Sequence, residues 1–210
     1  MNTEPDRAWV RLVIVLGALG APAAGAQHAT VAVAANFSIP MQRLEALFEA
    51  GTAHEITPVA GSTGQLYAQI LNGAPYDALL AADALRPARL AEQGAALPDS
   101  RFTYAVGRLV LWTREPALMD GLGLAALHGE FRRLAIANPL LAPYGLAAQQ
   151  TLQALGLWTA LERRIVRGEN AGQAFAMVAT RNAELGLIAL SSVIAYAGTG
   201  AAVPVPPRHH

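Results

Sequence analysis

The chain has 210 residues, of which 53% are apolar and 14% are charged, so it can form a sizeable hydrophobic core. Its 15 basic residues balance its 15 acidic residues, and every basic residue is an arginine. The absence of lysine excludes P-loop nucleotide chemistry and Schiff-base catalysis, and the balanced charge argues against a nucleic-acid partner. With 0 cysteines, the chain forms neither disulfides nor thiolate metal sites.

The first 26 residues have the three-part pattern of a secretory signal. Arg7 and Arg11 precede an apolar run over 12–21, and small residues then lead to Ala26. That run is only half of the ~20 residues that a membrane-spanning helix needs, which makes a membrane anchor the weaker alternative. We therefore predict that residues 1–26 are a cleaved signal peptide, that the mature chain begins near Gln27, and that it is exported.

Strands and helices alternate along the first part of the mature chain. Short apolar or β-branched runs predict strands over 30–34, 55–60 and 77–82. Each strand leads through capping or turn residues into apolar residues at helical spacing, and Gly51 and Gly73 are expected to end the first two helices. This alternation indicates an α/β protein with a parallel or mixed sheet.

A second series of strands and helices follows. Strands are predicted at 109–113, 133–137, 165–166 and 184–190, and helices at 145–155 and around 175–178. We predict one lobe over 27–107 and a second over 108–190, joined by a hinge of extended strands near 105–110. Residues 191–210 are expected to return toward the first lobe.

Four predicted junctions between a strand and a helix carry small or hydroxyl residues, and they lie at 34–38, 61–64, 138–145 and 168–172. In open α/β sheets ligands bind at such junctions, where helix starts present unpaired N–H groups. No junction contains an arginine, and Glu169 is the only charged residue among them. The pattern predicts an oxyanion site built from hydrogen-bond donors, which favours a fully deprotonated ion. The alternative is that their polar residues are ordinary helix caps: Asn36, Ser38, Ser62 and Thr63.

Seven segments carry a resemblance to a known family, and they lie at 31–37, 61–70, 73–77, 81–83, 137–139, 142–145 and 168–170. Together and in this order they resemble the periplasmic molybdate-binding proteins, the soluble receptors of molybdate ABC importers. The resemblance implies a type II-like, two-lobed α/β binding protein, in which each lobe is a mixed sheet flanked by helices. It also implies a periplasmic monomer without enzymatic activity or cofactor, which carries molybdate or tungstate to a membrane permease.

The resemblance implies four ligand-binding residues. Asn36, with its neighbouring N–H groups, and the Ser62 hydroxyl would contact the anion from the first lobe. The Tyr144 hydroxyl and the N–H of Ala171 would contact it from the second lobe. Some family members carry a tyrosine in the strand after the last helix instead, where this chain has Ala189.

Three alternatives remain open from the sequence. The first is a receptor for another tetrahedral oxyanion such as sulfate. The second is an exported serine hydrolase, with Ser62 as nucleophile and His54 or His128 as base. The third is a fragmentary receptor that binds little, because the family pattern continues past His210 and we expect the chain to be truncated at its C-terminus, with an incomplete first lobe.

Overall fold

The structure is a computed structural model that describes residues 26–209. The strands of this part are β1 His28–Ala34, β2 Glu55–Gly61, β3 Ala78–Leu80, β4 Leu109–Thr113, β5 Leu134–Ala137, β6 Ile165–Gly168, β7 Leu185–Ala189 and β8 Ala201–Pro204. Its α-helices are α1 Ser38–Gly51, α2 Thr63–Leu71, α3 Leu85–Glu92, α4 Pro143–Ala154, α5 Trp158–Leu161, α6 Ala171–Ala179 and α7 Leu190–Ile194. A 3-10 turn over Ala35–Phe37 leads into α1. The predicted signal peptide lies outside the described residues except for Ala26.

The first lobe is built on a sheet with the strand order β2-β1-β3. Both pairings are parallel, so this sheet differs from the mixed sheet that we expected there. Parallel neighbours require crossover connections, and α1 and α2 supply them. Pro58 lies on β2, an edge strand, where a missing N–H is tolerated. The strand predicted at 77–82 is shorter, because Asp77 and the residues after Leu80 leave the ladder.

The second lobe is built on a five-stranded sheet with the order β6-β5-β7-β4-β8. β5 pairs in parallel with β6 and β7, whereas β4 is antiparallel to β7 and β8, so this sheet is mixed as expected. The expected return of residues 191–210 toward the first lobe is wrong for β8, which pairs with β4. The reason is packing: Val203 and Val205 join the core of the second lobe. The helix α7 does lie against the first lobe, where it contacts α1 and the turn before it.

The hydrophobic core is divided unequally between the lobes. Leu109 and Leu111 of β4 face a large cluster on one side of the second sheet, and Val110 and Trp112, which alternate with them, face another on the opposite side. Trp112 stacks on Phe175 of α6 with 5.1 Å between ring centroids. The first lobe has a much smaller buried cluster, which consists of Val31, Val33 and Met41. Packing energy is therefore concentrated in the second lobe.

The segment that connects the lobes lies along an apolar groove. This groove of about 1170 Å³ runs beside β3, α3 and α7, and Phe102 and Val106 in its wall are 76% and 85% exposed. The Tyr104 hydroxyl donates to the Ala81 carbonyl at 2.8 Å and its ring packs edge-on against Phe37, which holds the segment against the first lobe. Burial raises the pKa of Tyr104 to about 12. No helix within residues 26–209 has the length and apolar character needed to cross a bilayer.

The unequal cores lead to a test of stability. Leu152 of α4 is 0% exposed in the larger cluster, so Leu152→Ala should lower the free energy of unfolding by about 2–5 kcal/mol. Leu140→Ala is the matched control, because Leu140 is 83% exposed and its loss should change that free energy by less than about 0.5 kcal/mol. Urea unfolding followed by circular dichroism measures both. Equal destabilisation by the two variants would contradict this division of the core.

Candidate functional site

A small cavity lies where helix starts from both lobes meet. Its lining residues are Ala34, Ala35, Asn36, Gly61, Ser62, Thr63, Ala82, Ala142, Pro143, Tyr144 and Ala171. All four residues predicted from the sequence, Asn36, Ser62, Tyr144 and Ala171, are among them. The cavity measures about 10 Å³, which is room for one water-sized sphere. An ion with four oxygens is larger and can enter only when the walls move apart.

None of these lining residues carries a charge. The nearby Arg86 side chain forms an ion pair with Asp83, three residues before it. The lining therefore presents backbone groups, hydroxyls and the Asn36 amide, in agreement with the prediction of a site without cations. An anion in this cavity would be stabilised by hydrogen-bond donors and helix dipoles.

Backbone N–H groups at the helix starts are the main donors that the fold provides. The first residues of a helix have no carbonyl one turn earlier within that helix, so their N–H groups have no partner inside it. In α2 the N-cap residue Ser62 accepts the Gln65 N–H with its Oγ. The N–H of Thr63, the first residue of the helix, has no partner within the helix. In α6 the Gln173 N–H donates to the Asn170 side chain, and the N–H of Ala171 is left in the same way.

Ser62 combines its place in the cavity wall with a capping role. Its hydroxyl accepts from the Gln65 N–H at 3.3 Å and its own N–H donates to Gln65 Oε1 at 3.2 Å, which forms a capping box. The hydroxyl also donates to Gln65 Oε1 at 3.0 Å. The helix-cap alternative is therefore confirmed for Ser62, whose hydroxyl can donate to a ligand only by turning away from Gln65. Thr63 is no cap: its hydroxyl accepts from the Ala82 N–H at 3.0 Å and ties the end of β3 to the site.

The cap alternative is wrong for Asn36 and Ser38. Asn36 lies within the 3-10 turn, and neither that turn nor α1 begins with a hydrogen bond from a side-chain cap. The hydroxyl of Ser38 is buried without a hydrogen-bond partner among the described residues. The N–H of Ser38, the first residue of α1, donates to the Ala35 carbonyl, so the N–H groups without a partner inside the turn are those of Ala35 and Asn36.

Tyr144 reaches the cavity from the first turn of α4, which begins at Pro143, a favoured first helical residue. Gly145 packs so closely on the Ala137 carbonyl that no Cβ would fit. This contact lets α4 begin directly against the end of β5. Burial raises the pKa of Tyr144, and the opposing effects of the Asn36 side chain and the Arg108 backbone do not cancel it. The phenol is therefore protonated at neutral pH and can donate.

The two lobes touch at the edge of the cavity. The Gly64 N–H of α2 donates to the Leu141 carbonyl of the second lobe at 2.9 Å. A Cβ on Gly64 would lie 2.7 Å from that oxygen, so only glycine permits this approach. A second contact joins the Ser191 hydroxyl of α7 to the Asn36 carbonyl at 2.6 Å. We call this arrangement, with both contacts made, the closed form.

The arrangement of a serine hydrolase is not present. Neither His54 nor His128 lines the cavity, and the Ser62 hydroxyl bonds to Gln65 rather than to an imidazole. His54 instead accepts from the Gln27 N–H at 3.1 Å. Within residues 26–209, no three His, Cys, Asp or Glu side chains come together as a metal site.

Ten of the eleven lining residues fall within the four junctions predicted from the sequence, and Ala82 is the one that sequence reasoning missed. Ala82 follows β3 at the same edge of the sheet as the other junctions, and its position after a strand was the signal in that case.

Comparison with known proteins gives consistent matches. The family of bacterial extracellular solute-binding proteins matches residues 29–210. The molybdate-binding protein ModA of Azotobacter vinelandii is 49% identical over 184 residues, which cover 87% of this chain and 73% of the relative. ModA of Rhodobacter capsulatus is 46% identical over 187 residues, which cover 89% of this chain and 73% of the relative.

Solved structures agree with the sequence matches. The periplasmic molybdate-binding protein of Azotobacter vinelandii has a TM-score of 0.82 and 41% identity, and the match covers 87% of this chain and 80% of that one. The sulfate-binding protein SubI of Mycobacterium tuberculosis has a TM-score of 0.67 at 15% identity, with 85% and 71% covered, which supports the fold alone. The two-lobed α/β binding-protein fold is therefore confirmed, and the chain is a binding protein rather than an enzyme. The chain belongs to the bacterial extracellular solute-binding protein family.

Proposed function

We propose that this chain is a periplasmic receptor that binds molybdate or tungstate and delivers it to the membrane permease of an ABC importer. The observation that carries the proposal is the uncharged cavity at which helix starts from both lobes meet. Two relatives at 49% and 46% identity are named molybdate-binding proteins, which supports the choice of ligand. Cleavage of residues 1–26 as a signal peptide, export to the periplasm and a monomeric state belong to the same proposal.

The assignment of roles follows from the donors around the cavity. We assign the anion contacts to Asn36 with its neighbouring N–H groups, the hydroxyls of Ser62 and Tyr144, and the N–H of Ala171. Burial of a dianion without compensation would cost tens of kcal/mol, whereas each hydrogen bond to a charged group contributes about 1.5–3 kcal/mol. About seven or eight donors are therefore needed, and the N–H groups of Ala35 and Thr63 lie in position to add to the four named residues.

A lining rich in donors also selects by protonation state. Phosphate at neutral pH keeps a proton, and burial of that O–H beside donors leaves it without an acceptor. Molybdate, tungstate and sulfate carry no proton there and satisfy every donor with oxygen lone pairs. Sulfate remains the second candidate, since it too is a tetrahedral dianion without a proton. Its smaller radius distinguishes it from molybdate and tungstate.

Calorimetry tests the ligand directly. The purified chain is titrated with molybdate, tungstate, sulfate and phosphate under the same conditions. We expect one molybdate or tungstate per chain, weaker binding of sulfate and no heat from phosphate. Tighter binding of sulfate would move the assignment to the second candidate, and the absence of heat with every ion would refute an oxyanion receptor.

The Tyr144 hydroxyl offers a test of the site. Tyr144→Phe removes one donor to the anion and keeps the ring, so affinity for molybdate should fall by roughly 10- to 150-fold. Tyr67→Phe is the matched control, because the Tyr67 hydroxyl lies toward Gln93 and does not line the cavity. Equal affinity of the two variants would remove Tyr144 from the site.

Gly64 offers a test of lobe closure. Gly64→Ala places a Cβ 2.7 Å from the Leu141 carbonyl, which costs about 1–3 kcal/mol in the closed form and should weaken binding roughly 5- to 150-fold. The melting temperature without ligand should not fall, because alanine favours the helix. Gly51→Ala is the control, since its Cβ would meet open space. Undiminished affinity in Gly64→Ala would show that binding does not need this contact.

A further inference from the structure

The backbone carbonyl of Asn36 lacks the donor that an α-helix would supply. That donor would be the N–H of the residue four positions later, which is Pro40, and proline has none. The Ser191 hydroxyl donates to this carbonyl instead, with 2.6 Å between the two oxygens and 155 residues between them in sequence. Ser191 lies in the first turn of α7, directly after β7 of the second sheet. The bond thus joins the second lobe to the first at the cavity.

This hydrogen bond acts on a peptide in the wall of the cavity. Asn36 lines the cavity as the middle residue of the 3-10 turn over Ala35–Phe37. Its peptide is trans and planar, so a donor on its carbonyl fixes the orientation of the backbone at Asn36. The direction in which the Asn36 side chain leaves that backbone is fixed with it.

The position of Ser191 does not depend on this bond alone. The Leu190 N–H donates to the Arg108 carbonyl at 2.9 Å, which anchors α7 to the segment that joins the lobes. Ser192, the next residue, is buried. The helix also contacts α1 and the 3-10 turn before it. These contacts present the Ser191 hydroxyl to Asn36 in the closed form.

We propose that Ser191 is a positioning residue for the anion, which holds Asn36 in place at the cavity by donating its hydroxyl hydrogen to the Asn36 carbonyl across the lobes. This inference rests on the proposed function. Because donor and acceptor belong to different lobes, the bond is made on closure and breaks before the lobes open. Ser191 therefore acts on the rate at which the anion leaves more than on the rate at which it binds.

The test compares three variants of the full chain with the unchanged protein, with molybdate as the ligand. Ser191→Ala should weaken affinity about three- to tenfold, mostly through faster dissociation, and Ser191→Thr, which keeps a hydroxyl, should restore most of it. Ser100→Ala is the matched control: its hydroxyl also donates to a backbone carbonyl, that of Leu97 at 2.7 Å, but at an exposed position. The side-chain amide protons of Asn36, observed by NMR in ¹⁵N-labelled protein, should shift less on addition of molybdate in Ser191→Ala.

The outcomes separate this inference from the proposed function. If the unchanged protein binds molybdate and Ser191→Ala binds it equally well, with the same shift of the Asn36 side-chain amide, the role of Ser191 is overturned while the receptor function stands. A lower melting temperature of Ser191→Ala with unchanged affinity would overturn it as well, since the hydroxyl would then serve only stability. If the unchanged protein binds neither molybdate nor tungstate, both proposals fail together.

Discussion

The site depends on one constraint: helix starts from two separate sheets must meet at one cavity without a charged side chain. Close packing at the ends of the strands makes this possible. Gly145 lets α4 begin against the end of β5, and Gly168 does the same for the start of α6, where a Cβ would lie 2.7 Å from the Ala174 nitrogen. Gly64 then lets the second lobe approach α2. A larger residue at any of these positions would separate the N–H groups that have to converge.

Much of the fold could be predicted because its signals are local. Short apolar or β-branched runs identified seven of the eight strands, and capping or turn residues marked the helix starts that line the cavity. The start of α4 was placed at Gly145, two residues late, because Pro143 suits the first position of a helix and the sequence reading took it for loop. β8 was missed, since it is four residues long, half-exposed and ends at Pro204, which an edge strand accepts.

The site could be predicted only in part. The loops that contribute Asn36, Ser62, Tyr144 and Ala171 were identified, because each follows a predicted strand and starts a helix. The contacts between segments distant in sequence could not be predicted, since periodicity carries no information about distance in space. The approach of Gly64 to Leu141 and the bond from Ser191 to Asn36 are of this kind, and they decide how the lobes close.

Most donors in the cavity wall belong to the peptide backbone, and a backbone amide is present whatever side chain its residue carries. Replacement of Ala35 or Ala171 by another residue would therefore change the room in the cavity but not the hydrogen bonds that it offers. The site then distinguishes ions of the same charge and shape by their radius. Adding or removing a few methyl groups in the cavity wall would change which radius it accepts.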